Sequence, residues 1–144
     1  MASPIVPAQV EKEFAFQQGK SRIDGRFDRI DLDPEEGATV IDYKTSAISD
    51  AEDAASRTRK SLQLRIYALA YRYQSGVLPR RVELRFVESG VMGRAELSEE
   101  DVAIAVKAIE RVAAGIRAGN YEPHPSPKVC GQCAFNRICP HAVS

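Results

Sequence analysis

The stretch Val40-Ile41-Asp42-Tyr43-Lys44 constrains this chain more than any other. Val40, Asp42 and Lys44 alternate with Ile41 and Tyr43. A β-strand sends alternate side chains to opposite faces, so Asp42 and Lys44 project the same way. The apolar neighbours read as a buried strand, where a charge is costly unless it is paired or bound to metal. An acid and an amine so placed suit chemistry on a phosphate: the carboxylate binds a divalent cation, and the ammonium sits beside the attacking water or the developing charge. A second acid, Asp28 in Gly25-Arg26-Phe27-Asp28, lies on a neighbouring candidate strand and can add to the cation's oxygen shell. Mg²⁺ favours one or two carboxylates together with waters and phosphate oxygens. Taken singly, either aspartate reads as an ordinary solvated strand residue, and Asp-x-Lys is common by chance. The pair on a buried strand carries the argument.

The chain's 144 residues suffice for one core, and 44% hydrophobic with 28% charged residues reads as soluble and globular. No apolar run approaches the roughly 18 residues of a membrane span. The start, Met-Ala-Ser-Pro, has neither the basic region nor the apolar core of a signal peptide, so the expected compartment is the cytoplasm. Formal net charge is zero, so any contact with nucleic acid must come from a local patch.

Residues 1–8, with Pro4 and Pro7, read as an irregular leader. Gln9 to Phe16 is an expected strand, Gln17-Gln18-Gly19-Lys20 a turn, and Arg22 to Leu32 the partner strand of a hairpin. Gly25 inside that strand signals close backbone approach or a bulge. Asp33-Pro34-Glu35-Glu36-Gly37 is a turn, and Ala38 to Lys44 the third strand of an antiparallel meander that brings Asp28 towards Asp42. Ala47 to Ser61, with Arg57, Arg59 and Lys60, is either a loop or a first helical turn. Leu62 to Gln74 is a helix whose stripe is Leu62, Ile66, Leu69 and Tyr73. Gln63 and Tyr67 lie four apart beside that stripe; periodicity alone makes Gln63 surface and Tyr67 core. Arg81 to Glu88 and Val91 to Leu97 read as strands. Ser98, with Asp101 as in a capping box, opens a helix with the stripe Val102, Ala105, Ile109, Val112 and Ile116.

Asn120 to Lys128 holds three prolines and is expected to be extended. The three cysteines follow as Cys130-Gly-Gln-Cys133, five residues, then Cys139-Pro140, which argues for a metal or cluster site over a disulfide framework. Three thiolates are one ligand short of a tetrahedral zinc site or a four-iron cluster, and His141 stands very close to Cys139 for a fourth.

The runs GRFDRID, VIDYKTS and LQLRIYALAY, in this order and followed by a CxxC-x5-C tail, resemble the RecB-like branch of the PD-(D/E)xK nucleases, in its iron–sulfur subgroup of bacterial helicase–nucleases. The likeness covers roughly residues 10 to 140. It implies an α/β fold: a restriction-endonuclease-like core, with a mixed β-sheet containing an antiparallel meander and flanked by helices. It divides the chain into a nuclease core, residues 1–128, and a cysteine tail, residues 129–144. Asp28 and Asp42 become Mg²⁺ or Mn²⁺ ligands with the Tyr43 carbonyl as a third, and Lys44 becomes the catalytic lysine. Gln63 and Tyr67 become active-site supports. Cys130, Cys133 and Cys139 become the last three ligands of a 4Fe-4S cluster, with Zn²⁺ the alternative occupant.

The implied activity is a metal-dependent deoxyribonuclease of exonuclease type. It would act on single-stranded DNA or duplex ends in repair or recombination, joined to a helicase domain or subunit. Arg57, Arg59, Lys60 and Arg65 are the candidate DNA patch. The family's upstream helix, carrying a His or Glu metal ligand, and its first cluster cysteine have no counterpart here; Glu11 and Glu13 lie on a strand instead. The expectation is therefore a C-terminal fragment of a longer protein. The alternative reading is a non-catalytic DNA-binding or scaffold domain that keeps the fold.

Overall fold

A computed structural model describes residues 6–144, so Pro4 of the expected leader lies outside the described residues. The chain forms two compact units, residues 1–111 and 112–144. The first is built on a five-stranded mixed sheet in the order β1 (Pro7–Gln18), β2 (Ser21–Asp33), β3 (Gly37–Lys44), β4 (Arg81–Phe86), β5 (Met92–Ala95). The first three strands are the expected antiparallel meander. The turn between β2 and β3 is held by Asp33, whose Oδ1 accepts from the amides of Glu35 at 2.8 Å and Glu36 at 2.9 Å. β4 returns parallel to β3. Parallel neighbours require a crossover, and α1 (Ala51–Lys60) and α2 (Leu62–Ser75) supply it.

Gly25 marks close approach. It pairs with Phe14 across the hairpin, and a Cβ there would lie 2.4 Å from the Phe14 ring. The ring covers the glycine and meets Phe27 at 4.7 Å between centroids. Both rings reach Tyr67 of α2, so the hairpin and the helix share one aromatic cluster.

Ala47 to Ser61 contains a ten-residue helix, well beyond a first turn. Asp50 caps it by accepting from the Glu52 amide at 2.7 Å. Glu52 and Asp53 in the first turn and Arg57, Arg59 and Lys60 in the last all favour the helix dipole. Its buried residues are small, Ala54 and Thr58, because α1 lies directly on Gly93 of β5.

The expected α2 is present, but its stripe is rotated. Leu64, Ala68, Leu69 and Ala70 are buried, while Leu62 and Tyr73 are exposed. Small alanines let this face approach the sheet closely, leaving the larger end residues to overhang. Tyr73 stacks on Phe16 from outside, with centroids 4.7 Å apart.

α3 (Glu99–Arg117) opens with the expected reciprocal cap: Asp101 Oδ2 accepts from the Ser98 amide at 3.0 Å, and Ser98 Oγ accepts from the Asp101 amide at 3.3 Å. Val102 and Ile109 join Leu64 and Ala68 in the core. Arg65–Asp101 and Arg72–Glu99 ion pairs tie α3 to α2. The expected stripe ends there, since Val112 and Ile116 are more than half exposed. They belong to the second unit, which has no strand to cover a helix face.

The sheet's other face faces neither α1 nor α2. Its buried acids are held by arginines: Asp31 by Arg29, and Glu83 by both Arg85 and Arg94 at 2.8 Å.

In the second unit, the stretch expected to be extended ends in a short helix, α4 (Pro127–Gly131). Ser126 caps it and Pro127 suits its first position, where no amide hydrogen is needed.

Candidate active site

β2 and β3 pair with Arg29 opposite Ile41, so the next step along the ladder sets Asp28 against Asp42. Asp28 Oδ2 accepts the Tyr43 amide at 2.9 Å, which pins its carboxylate to the end of β3. Asp42 is buried, with its side chain 3% exposed, and Lys44 Nζ stands 2.6 Å from its Oδ2. That contact is close but poorly directed, so Oδ2 receives no aligned hydrogen bond. Burial pushes the Asp42 carboxyl above its usual range; Lys44 opposes the shift and the Asp28 charge adds to it. A buried oxygen with unfilled accepting capacity beside a second carboxylate suits a small divalent cation.

Lys44 Nζ also donates to Gln63 Oε1 at 2.6 Å. An ammonium has no acceptor, so the amide must present its oxygen to Lys44. Its nitrogen then donates to the Tyr67 hydroxyl at 2.9 Å. Burial pushes the Tyr67 hydroxyl up, so it stays protonated and keeps its own hydrogen to give. Ser61 sets this up: it ends α1 and caps α2 by accepting from Leu64 at 3.2 Å, which starts the helix one residue before Gln63. Gln63 is exposed, as periodicity implied, yet it reaches Lys44 from a different element.

Asp28, Asp42, Lys44, Gln63 and Tyr67 thus form one connected group. Tyr43 lies between the two β3 charges with its ring on the opposite face, the face that carries Arg29. Glu11 is ion-paired with Arg26 at 2.9 Å, in a left-handed backbone conformation (φ 51°). Among the described residues, no three His, Cys, Asp or Glu side chains gather to hold a metal ion. The acidic site therefore rests on two carboxylates. The thiols of Cys130, Cys133 and Cys139 are free and do not converge on a common point, with or without His141.

Of the candidate DNA patch, Arg59 and Lys60 are exposed, while Arg57 is paired with Asp53 at 3.1 Å. Arg65 is not a free cation. It is held by Asp101 at 3.1 Å and donates to the Arg59 carbonyl at 2.9 Å, with a side chain only 16% exposed. Its charge neighbours in sequence are basic, but its partner lies on α3.

A family model described as the PD-(D/E)XK nuclease superfamily matches residues 2–140. No curated protein matches the chain. Among solved structures, the crystal structure of SSO0001 aligns with a TM-score of 0.60 at 20% identity, which shows a shared fold. The alignment covers 94% of this chain and 61% of SSO0001, so this chain spans about three-fifths of that protein's length. Among the described residues, no helix is long and apolar enough to cross a membrane.

Proposed function

Because this chain belongs to the PD-(D/E)XK nuclease superfamily, we propose that Asp28, Asp42 and Lys44 hydrolyse phosphodiester bonds of DNA with Mg²⁺ or Mn²⁺. The observation that carries this is the buried, unfilled Oδ2 of Asp42, set between Asp28 and Lys44. Asp28, Asp42 and the Tyr43 carbonyl would hold the cation. Bound there, it would lower the pKa of a water and shield phosphate charge. Lys44 adds a fixed positive charge where negative charge develops, and Gln63 aims it. Tyr67 anchors Gln63 to the aromatic cluster.

The finer reading is an exonuclease-type enzyme of the RecB-like iron–sulfur branch, working with a helicase in DNA repair. It rests on the order of the motifs and on the CxxC-x5-C spacing. In it, a fourth cluster ligand comes from outside the three thiols. The core and the cysteine tail, divided near residue 128, would then be separate functional parts.

Mn²⁺ calorimetry and cleavage of single-stranded and duplex DNA test the site. Asp42→Asn should abolish metal binding and cleavage together. Lys44→Ala should keep metal binding and lose cleavage. Burial disfavours the Asp42 charge, so its folded pKa exceeds the unfolded one. The folded state gains from the proton at low pH and loses that gain as pH rises through the folded pKa. Metal-free Asp42→Asn should therefore melt no lower than wild type at neutral pH, and wild-type Mn²⁺ affinity should weaken as pH falls. Equal cleavage by all three proteins would remove the assignment.

A further inference from the structure

The chain's neutrality hides an uneven pairing of its cations. Most arginines of the first unit stand in ion pairs, Arg57 and Arg65 among them. Arg59, Lys60, Lys107 and Arg111 are exposed and have no ion-pair partner among the described residues. Lys107 and Arg111 line a groove with Arg65, which bonds the Arg59 carbonyl. Arg59 and Lys60 end α1, immediately before Leu62. Lys107 and Arg111 follow Ile104 at helical spacing on α3. Leu62, Ile104, Lys107 and Arg111, with Arg65 and Ala108, line one groove of about 400 Å³. Arg65 ties the corner together, bonding the Arg59 carbonyl on one side and Asp101 on the other. Leu62 of this groove immediately precedes Gln63 in α2, whose amide holds Lys44.

We infer that this groove binds an unpaired nucleic-acid strand running to or from the Asp28–Asp42–Lys44 site; the inference rests on reading that site as a nuclease centre. The cations match a phosphate backbone. Lys107 and Arg111 stand about 6 Å apart along α3, which lets them take successive phosphates of one extended strand. Leu62 and Ile104, 42% and 47% exposed, present apolar surface in the same groove. A duplex keeps its base faces stacked inside, whereas a single strand can lay them on such a floor. Glu100, one turn before Ile104, ends the basic run at the start of α3.

The test is fluorescence anisotropy without divalent metal, so that cleavage plays no part. It uses a labelled oligothymidylate and a duplex of equal length. Lys107→Ala/Arg111→Ala should weaken single-strand binding about tenfold and lower the slope of log K against log salt by about 1.4, at about 0.7 per lost phosphate contact. Leu62→Ala/Ile104→Ala should narrow the preference for single strand over duplex with little change in slope. A dinucleotide phosphodiester, too short to reach the groove, should be cleaved equally by wild type and Lys107→Ala/Arg111→Ala. That arm separates failure of the groove from failure of the nuclease site. Unchanged affinity and slope in Lys107→Ala/Arg111→Ala would overturn the inference and leave an acidic protein segment as the occupant. Equal loss for single strand and duplex would also overturn it, reducing the groove to a general phosphate surface.

Discussion

Replacing Gly93 by alanine should be among the most damaging single-methyl additions in this fold. A Cβ at Gly93 would lie 2.2 Å from the Ala54 carbonyl oxygen, 2.2 Å from Thr58 Oγ1 and 2.5 Å from the Ala54 carbonyl carbon. Ordinary contact begins at 3.4 Å, so α1 would have to withdraw by about 1.2 Å (3.4 − 2.2). No flexible side-chain tip can give way instead. The obstacles are helix backbone and a hydroxyl that donates to that same carbonyl at 2.7 Å. Ala54 and Thr58 are fully buried, so turning the threonine away would strand a polar group. Overpacking typically costs about 1–3 kcal/mol, and a backbone obstacle argues for the upper end, about 3 kcal/mol. At roughly 2–4 °C per kcal/mol for a chain of this size, Tm should fall by about 6–12 °C. Urea denaturation should show a lower midpoint with an unchanged slope. Gly115→Ala is the matched control, because a Cβ there meets nothing within 4 Å inside α3. It should stabilise by about 0.5–1 kcal/mol through helix propensity. Gly93→Ala within about 0.5 kcal/mol of wild type, the range of an ordinary surface change, would refute the packing argument.

Asp101 caps α3 and pairs with Arg65, and hydrogen bonds from Ser98 hold its carboxyl below the usual range. Its stabilisation is therefore present above the unfolded pKa and lost as pH falls through the folded one. Asp101→Ala should cost about 1–2 kcal/mol at neutral pH, and the gap to wild type should close in acid; a gap of equal size at pH 7 and pH 3 would contradict this. Gln63→Leu removes the acceptor that aims Lys44 while keeping the side chain's bulk. Cleavage should fall about 10- to 100-fold, the scale of a misplaced catalytic group, with Mn²⁺ affinity unchanged; undiminished cleavage would show that Lys44 needs no such guide.

The strands are readable for two reasons: β2 alternates up to Phe27, and β3 carries a continuous buried run, Val40-Ile41-Asp42, between turn signals. The hairpin and its turns then brought Asp28 towards Asp42 by local geometry alone. α1 was not readable in the same way. Its sequence, AEDAASRTRK, has no large apolar stripe to reveal a period. What holds it is close contact through Ala54 and Thr58 against a glycine far along the chain. The α2 stripe was misplaced for a related reason. Periodicity marks large apolar residues, but the face that approaches the sheet most closely is the one with Ala68 and Ala70.

The site divides along the same line. Asp42 and Lys44 meet because they are two residues apart on one strand, a relation the sequence carries by itself. Gln63 meets Lys44 only through the position of α2 over the sheet, and its exposure was no guide to its partner. Arg65 shows the converse. In sequence it sits near Arg57, Arg59 and Lys60 and looks like part of their patch, yet Asp101 of α3 neutralises it. Lys107 and Arg111 lie in a different helix from that patch, yet they line one groove with its Arg65. Local charge density is thus a poor measure of a nucleic-acid surface in a neutral chain. What matters is which cations the fold leaves without an acid, and that is settled by tertiary pairing. The unpaired Lys107 and Arg111 of that groove are accordingly a better guide to where a strand would run than the basic run from Arg57 to Arg65.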